Sequence, residues 1–135
     1  MISPKMFQEF FLPYLADICQ RVGLVYYGCC EPVHDRWDAI SRAIPNIRAV
    51  SIPAWANQKI MGEKLERKYV FSRKPKTWLI SVQNPDWGAI RQDLEETLAA
   101  ARDCNLEIIY RDIYRIYDDH NYPCQWTDMV KATIN

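Results

Sequence analysis

Short apolar runs rich in β-forming residues alternate with helical patterns four times along this sequence. The runs "LVYYGCC", "IRAVSIP", "KYVFSRKP" and "LEIIYRDIY" are each followed by a segment with helical features. Strands that alternate with helices predict a parallel sheet with right-handed crossovers. Four strands cannot close a β/α barrel, which needs about eight strands and typically about 250 residues. The sequence therefore predicts an α/β fold of about four parallel strands with flanking helices, either a small open sheet or half of a barrel.

A helix with a wide apolar face is predicted before the first strand. It opens with Ser3 and Pro4, a capping serine followed by proline at the first helical position. Pro13 predicts a kink in this helix, because proline removes a backbone donor. The segment from 87 to 102 has the clearest helical periodicity in the chain. The sequence has no low-complexity tract and no linker, so residues 1–135 are predicted to form a single domain.

The charge balance and the cysteines limit the class of function. Seventeen basic and seventeen acidic side chains cancel, which argues against a nucleic-acid-binding protein because such proteins carry a basic surplus. No run approaches the roughly 18 apolar residues that span a bilayer, and the first residues lack the pattern of a signal peptide. Five cysteines, odd in number and without CxxC spacing, predict reduced thiols. We therefore expect a soluble cytoplasmic domain with no nucleic-acid or membrane partner.

Polar and reactive side chains follow the predicted strands where each strand ends. In parallel α/β folds, the chemistry lies at the carboxyl ends of the strands. Arg73 and Lys74 suit a substrate carboxylate or phosphate, and Asp112 suits acid–base chemistry or an ion pair with Arg73, whereas the ordinary alternative is a set of solvated turns. The strand-end candidates are Cys29, Cys30, Glu31, His34, Ser51, Trp55, Ser72, Arg73, Lys74, Arg111, Asp112 and Tyr114.

The segment "YYGCCEPVHD" contains several side chains that bind metals. In a regular strand, Tyr27, Cys29 and Glu31 point to one side and Cys30 points to the other, so the two thiols do not easily bind one ion. Thiolate, carboxylate and imidazole are all zinc ligands. The candidate set is therefore Cys29 with Glu31 or His34, completed by donors from other strands. The spacing matches no standard zinc finger, and the alternatives are a buried structural cysteine and a histidine at a helix start.

Five collinear segments of this chain resemble the C-terminal half of uroporphyrinogen decarboxylase-like proteins. They are "MFQEFFLPY", "GLVYYGCCEPVHDRWDAI", "IPNIRAVSIPAWAN", "KYVFSRKP" and "NLEIIYRDI", of which "GCCEPVHDRWD" and "SRKP" are the most specific parts. That superfamily includes the decarboxylase of haem synthesis and the zinc- and corrinoid-dependent methyltransferases. The resemblance implies the later half of an eight-stranded β/α barrel. Because the first half of the barrel mouth is missing, we expect no turnover from this chain alone.

The same resemblance implies roles for individual residues. In the methyltransferases, a His-x-Cys pair ends the equivalent of the first strand, and a later-strand cysteine completes a zinc site. Here Tyr27-Gly28-Cys29 stands at the pair and Asp112 stands at the later cysteine. The implied roles are metal binding for Cys29, Glu31 and His34, cofactor binding for Tyr27 and Lys74, and catalysis for Arg73 and Asp112.

These expectations leave several functions open. Methyl transfer with zinc and a corrinoid partner protein is favoured, because Cys29 has no evident task in a metal-free decarboxylase. Decarboxylation of a tetrapyrrole is the second function. The third is a non-catalytic half-barrel, whose open edges and uncovered apolar inner face are covered by a second copy or by the missing N-terminal half-barrel. A small-ligand protein with an open sheet covered on both faces is a further alternative. Packing roles are expected for Trp55, Trp78, Trp87 and Trp126.

Overall fold

The computed structural model describes residues 2–28, 30–113, 115 and 121–134, and its sheet confirms the predicted α/β class. All three strand pairs are parallel. The strands follow one another across the sheet in chain order, which is compatible with half of a β/α barrel. Among the described residues the strands are β1 (Val25–Tyr27), β2 (Ile47–Ile52), β3 (Val70–Arg73) and β4 (Asn105–Ile108).

Seven helices among the described residues flank this sheet. Ser3 caps the first helix as predicted, because its hydroxyl oxygen accepts a hydrogen bond from the Met6 amide at 3.2 Å. The kink predicted from Pro13 is a break, in which Phe11 separates two short helices. No helix in the described ranges is both long and apolar enough to cross a lipid bilayer. The helices are α1 (Pro4–Phe10), α2 (Leu12–Cys19), α3 (Trp37–Ala43), α4 (Gln58–Leu65), α5 (Thr77–Ile80), α6 (Trp87–Ala100) and α7 (Tyr122–Ile134).

The first strand is shorter than the sequence predicted and ends before Gly28, whose backbone is not extended. Its φ of +90° lies in a region that favours glycine. A Cβ atom at this position would lie 3.4 Å from the Ser51 Cβ atom. The predicted alternation therefore applies to Tyr26 and Tyr27 within β1 and does not extend to Glu31. Helix α3 begins at Trp37, after a turn over residues 34–36, and the short helix α5 precedes the predicted helix from 87 to 102.

The apolar core lies between the helices and one face of the sheet. Val50, Ile52 and Phe71 supply this face in the centre, and Leu106 and Ile108 continue it along β4. Each of the seven helices contributes side chains to one of the two apolar clusters that pack on this face. Burying apolar surface here is the main favourable contribution to folding.

The opposite face of the sheet is polar at its centre, which corrects the prediction of an apolar inner face. Ser72 of β3 is paired with Glu107 of β4, and Tyr26 of β1 reaches Ser72 across the intervening strand β2. The Ser72 hydroxyl donates to a Glu107 carboxylate oxygen at 2.5 Å and lies 2.8 Å from the Tyr26 hydroxyl oxygen. Because the single Ser72 proton is used toward Glu107, Tyr26 is the donor to Ser72. The centre of this face is therefore polar and hydrogen-bonded.

Helices α4 and α6 approach each other closely at Gly62. A Cβ atom built at Gly62 would lie 1.9 Å from the Ala100 carbonyl oxygen, which is a backbone atom that cannot rotate away. The contact explains why a helix-interior position carries glycine despite the poor helix propensity of that residue. The close spacing of α4 and α6 therefore requires a residue without a side chain at position 62.

We predict that Gly62→Ala lowers the free energy of unfolding by about 2 kcal/mol, because the overpacking outweighs the gain in helix propensity. Urea unfolding measures the change. Gly23→Ala is the matched control, since a Cβ atom at Gly23 meets no atom within 4 Å. Equal stability of the two variants would contradict the close approach of α4 and α6.

Candidate functional site

Residues from all four strand ends gather at the carboxyl end of the sheet. We call this group the carboxyl rim. Its members come from the segment after β1, the loop after β2, the segment from the end of β3 to the first residue of α5, and the segment after β4. They line one small cavity and are Cys30, Pro53, Ala54, Trp55, Lys74, Pro75, Thr77, Arg111 and Asp112. The rim therefore contains the predicted residues Lys74 and Asp112, together with the strand-end candidates Cys30, Trp55 and Arg111. The candidate Tyr114 lies outside the described residues.

Asp112 is held in a fixed orientation by its neighbours. One of its carboxylate oxygens accepts a hydrogen bond from Arg111 at 2.8 Å, and the other lies 3.4 Å from the Thr77 hydroxyl. Asp112 has φ +59°, a left-handed conformation that is uncommon for residues other than glycine and that often occurs at functional sites. The guanidinium of Arg111 also lies 4.0 Å from the Cys30 sulfur. The rim thus places a carboxylate, a guanidinium and a thiol within contact of one another.

Lys74 provides a second positive charge at the rim. Its ammonium nitrogen lies 5.8 Å from the centre of the Tyr26 ring, a cation–π arrangement, and only 9% of the residue is exposed. The Lys74 amide donates to the Ile52 carbonyl at 2.9 Å, which continues the pairing of β2 and β3. Lys74 therefore connects the carboxyl rim with the polar face of the sheet.

Arg73 lies on the helix side of the sheet, fully buried. Its guanidinium pairs with Asp93 of α6 at 3.0 Å and donates to the Pro53 carbonyl at 2.9 Å and to the Thr97 hydroxyl at 3.2 Å. Burial lowers the pKa of Arg73 from its ordinary value, and the charge of Asp93 opposes that shift. Arg73 and Asp112 therefore do not form an ion pair with each other, since Arg73 pairs with Asp93 and Asp112 pairs with Arg111. The catalytic role of Arg73 stays a prediction, and these contacts favour a positioning role.

Tyr27 and Glu31 line a second cavity, of about 420 Å³, beside β1, α1 and α2; Cys30 lines both this cavity and the carboxyl rim. Tyr27 packs against the helix-side core. Burial raises the pKa of Tyr27 to about 12, although the nearby Arg36 opposes the shift. Its phenol therefore stays protonated at neutral pH and offers no anionic oxygen to a cofactor. The Glu31 carboxylate lies 3.8 Å from the Arg36 guanidinium.

Two of the three predicted metal ligands, Glu31 and His34, lie within the described residues. The first predicted ligand, Cys29, lies outside the described residues. Glu31 faces Arg36, and the His34 Nδ1 atom is buried without a hydrogen-bond partner among the described residues. No group of three or more His, Cys, Asp or Glu side chains in that part of the chain has the geometry to hold a metal ion. The metal roles of Cys29, Glu31 and His34 stay predictions.

Two of the four tryptophans expected to pack inside the fold are exposed. Trp126 is buried and Trp87 packs beside it in the cluster around α6 and α7, as expected. Trp55 and Trp78 instead remain 60% and 55% exposed, and their rings are stacked on each other. The sequence offered no signal for this difference, because the loop after β2 and the short helix α5 have no extended periodicity that assigns a buried face.

Comparison of the chain with models of protein families, with curated proteins and with solved structures finds no match.

We predict that Asp93→Leu lowers the free energy of unfolding by about 3–5 kcal/mol, because it leaves the Arg73 guanidinium buried without its carboxylate. Adding Arg73→Met to this variant restores most of the loss, since two apolar side chains replace the ion pair. Equilibrium unfolding in urea measures both changes.

The exposed pair Arg21–Asp17 is the control for this experiment. Its atoms are also close, at 2.8 Å, but the two side chains are 74% and 64% exposed. Arg21→Met is therefore expected to change the stability little. A loss in Asp93→Leu no larger than that in Arg21→Met would contradict the importance of the buried pair.

Proposed function

We propose that this chain is the later half of a uroporphyrinogen decarboxylase-like barrel enzyme, whose carboxyl rim binds an acid-bearing tetrapyrrole. The observation that carries this proposal is the convergence of Lys74, Arg111 and Asp112 at the carboxyl ends of parallel strands. Chemistry in β/α barrels lies at that end. The cytoplasmic setting predicted from the odd number of cysteines belongs to the same proposal.

Each rim residue has a task in this proposal. Lys74 and Arg111 bind the acidic groups of the tetrapyrrole, because an ammonium and a guanidinium make charge-assisted hydrogen bonds to carboxylates. Asp112 is the acid–base group, since Arg111 and Thr77 orient its carboxylate toward the cavity that they share. Arg73 positions the loop after β2 through the Pro53 carbonyl.

Methyl transfer involving a corrinoid protein is the reaction that we favour. A thiolate is a zinc ligand, and the Cys29 thiol has no evident task in a metal-free decarboxylase. Because the described donors do not gather a zinc site, this preference depends on Cys29. Decarboxylation of a tetrapyrrole is the second candidate. The position of Asp112 beside Arg111 favours it, since a carboxyl group next to an anion-binding cation can exchange a proton with a bound acid.

We predict that cobalamin or uroporphyrin raises the melting temperature of the protein, because a ligand that binds only the folded chain stabilises it. Lys74→Met weakens uroporphyrin binding by about tenfold or more, which corresponds to the loss of one charge-assisted hydrogen bond. Lys131→Met, an exposed substitution on α7, is the matched control and leaves binding unchanged. Melting temperatures unaffected by both tetrapyrroles would contradict the proposed function.

Metal analysis separates the two reactions. Protein purified without a chelator is expected to contain one zinc ion per chain if methyl transfer is correct, and Cys29→Ala is expected to lose it. Cys124→Ala, which removes an exposed thiol from α7, is expected to keep it. A metal-free protein that still binds uroporphyrin would favour decarboxylation.

A non-catalytic half-barrel that oligomerises is the candidate from another class. Within the described residues, β1 and β4 each pair with only one strand. Phe10, Tyr14 and Ile18 recur at a spacing of four residues along α1 and α2, and more than half of each side chain is exposed. Exposed sheet edges and apolar patches of this kind favour association. Two copies, or this chain with a separate N-terminal half-barrel, cover these surfaces.

We predict that the protein is at least a dimer at micromolar concentration in light-scattering measurements. Ile18→Glu is expected to shift the population toward monomer, because it places a charge in the apolar stripe of α2. Asp17→Glu, on the neighbouring exposed position, is the control that keeps the assembly intact. A stable wild-type monomer would contradict this candidate.

A further inference from the structure

Two tryptophan rings at the carboxyl end of the sheet are stacked and exposed. The ring centres of Trp55 and Trp78 lie 6.4 Å apart, and the ring planes differ by 10°. The exposed fractions are 60% for Trp55 and 55% for Trp78. Moving an indole out of water lowers the free energy of the system. Two neighbouring exposed indoles therefore favour binding of a ligand or a partner.

The backbone under Trp55 is fixed from two sides. The Pro53 carbonyl, two residues before Trp55, accepts hydrogen bonds from the Arg73 guanidinium at 2.9 Å and from the Ala56 amide at 3.0 Å. The indole nitrogen of Trp55 donates to the Cys30 carbonyl at 2.5 Å. The ring therefore has a defined orientation although it is exposed.

The backbone that carries Trp78 is fixed as well. The amide of Lys76, just before α5, donates to the Asp93 carboxylate at 3.3 Å. At the other end of α5, the Ile80 carbonyl accepts a hydrogen bond from the Tyr122 hydroxyl at 2.7 Å. Because Asp93 also pairs with Arg73, the same ion pair holds both tryptophan segments. An aromatic surface fixed before binding loses little conformational entropy when a ligand arrives.

The charges next to the ring pair favour an anion. Trp55 lines the same cavity as Lys74, Arg111 and Asp112, so two cations and one carboxylate border it. The carboxylate of Asp112 accepts from Arg111 at 2.8 Å. A ligand that rests on the rings and carries an acidic group thus meets a cationic edge.

We propose that Trp55 and Trp78 form a stacking surface for a flat, conjugated ligand whose acidic group is bound by Lys74 and Arg111 at the edge of the rings. The tryptophans select for flatness, because stacking requires a planar partner. The cations select for a negative charge. This surface binds a flat acid whether or not that acid is a tetrapyrrole.

Three small probes test these two selections by isothermal titration calorimetry. 1-Pyrenebutyrate is flat and acidic, 4-cyclohexylbutyrate is acidic without a flat ring, and 1-pyrenemethanol is flat without an acid. We expect 1-pyrenebutyrate to bind most tightly. Trp78→Ala is expected to weaken it by roughly fivefold to 150-fold, the range for loss of one aromatic stacking contact. Trp78→Phe, which keeps a flat ring, is expected to restore part of the affinity.

Two further variants separate the site from general apolar binding. Lys74→Met is expected to weaken 1-pyrenebutyrate and to leave 1-pyrenemethanol unchanged. Tyr14→Ala, which removes a 72% exposed ring from α2, is expected to leave both unchanged. Circular dichroism checks that each variant is folded. The Trp78 variants are expected to fold because the Trp78 side chain is 55% exposed.

The proposal is overturned if Trp78→Ala binds 1-pyrenebutyrate as tightly as the wild type, or if 4-cyclohexylbutyrate binds equally well. It is also overturned if Trp78→Ala only dissociates an oligomer, because a second copy of the chain then covers the rings. Binding of 1-pyrenebutyrate without binding of cobalamin or uroporphyrin removes the proposed function and leaves the stacking surface in place. The reverse result removes the stacking surface and leaves the proposed function.

Discussion

The buried ion pair between Arg73 and Asp93 connects the parts of this protein that carry its candidate chemistry. Arg73 ends β3 and Asp93 lies on α6, and their charged atoms are 3.0 Å apart with almost no solvent contact. Removing two charges from water is costly, so the pair is tolerated only because further hydrogen bonds satisfy both partners. Those hydrogen bonds reach Pro53 in the loop after β2 and Lys76 before α5. One interaction thus fixes the two segments that carry the exposed tryptophans.

The sheet separates two chemical environments around this pair. Its helix side is apolar and contains the core, with the Arg73 network as a polar inclusion near the strand ends. Its other side carries the hydrogen-bonded chain of Tyr26, Ser72 and Glu107. Lys74 lies where the polar face meets the carboxyl rim. The sheet thus has an apolar face packed against the helices and an opposite face whose centre is polar.

The order of elements and the parallel pairing could be predicted from alternating strand and helix patterns, because periodicity reports which face is buried. The end of β1 could not, since it depends on the positive φ of Gly28 rather than on the apolar run that continues past it. For the site, the strand-end rule placed Lys74 and Asp112 near strand ends, and both line the rim cavity, while their roles stay predictions. It could not show that Arg73 faces the helices, because its partner Asp93 lies 20 residues away in sequence. Exposure of Trp55 and Trp78 likewise depends on tertiary packing.

The most direct test of this account is amide hydrogen exchange in Asp93→Asn, compared with the wild type. This nearly isosteric change removes the charge that Arg73 pairs with, while the core stays intact. We predict faster exchange at residues 54–57 and 76–81, with the centres of β2, β3 and α6 still protected, because local opening follows the loss of local contacts. Unchanged exchange in these two segments, or an equal increase along the whole chain, would contradict the claim that this ion pair organises the carboxyl rim.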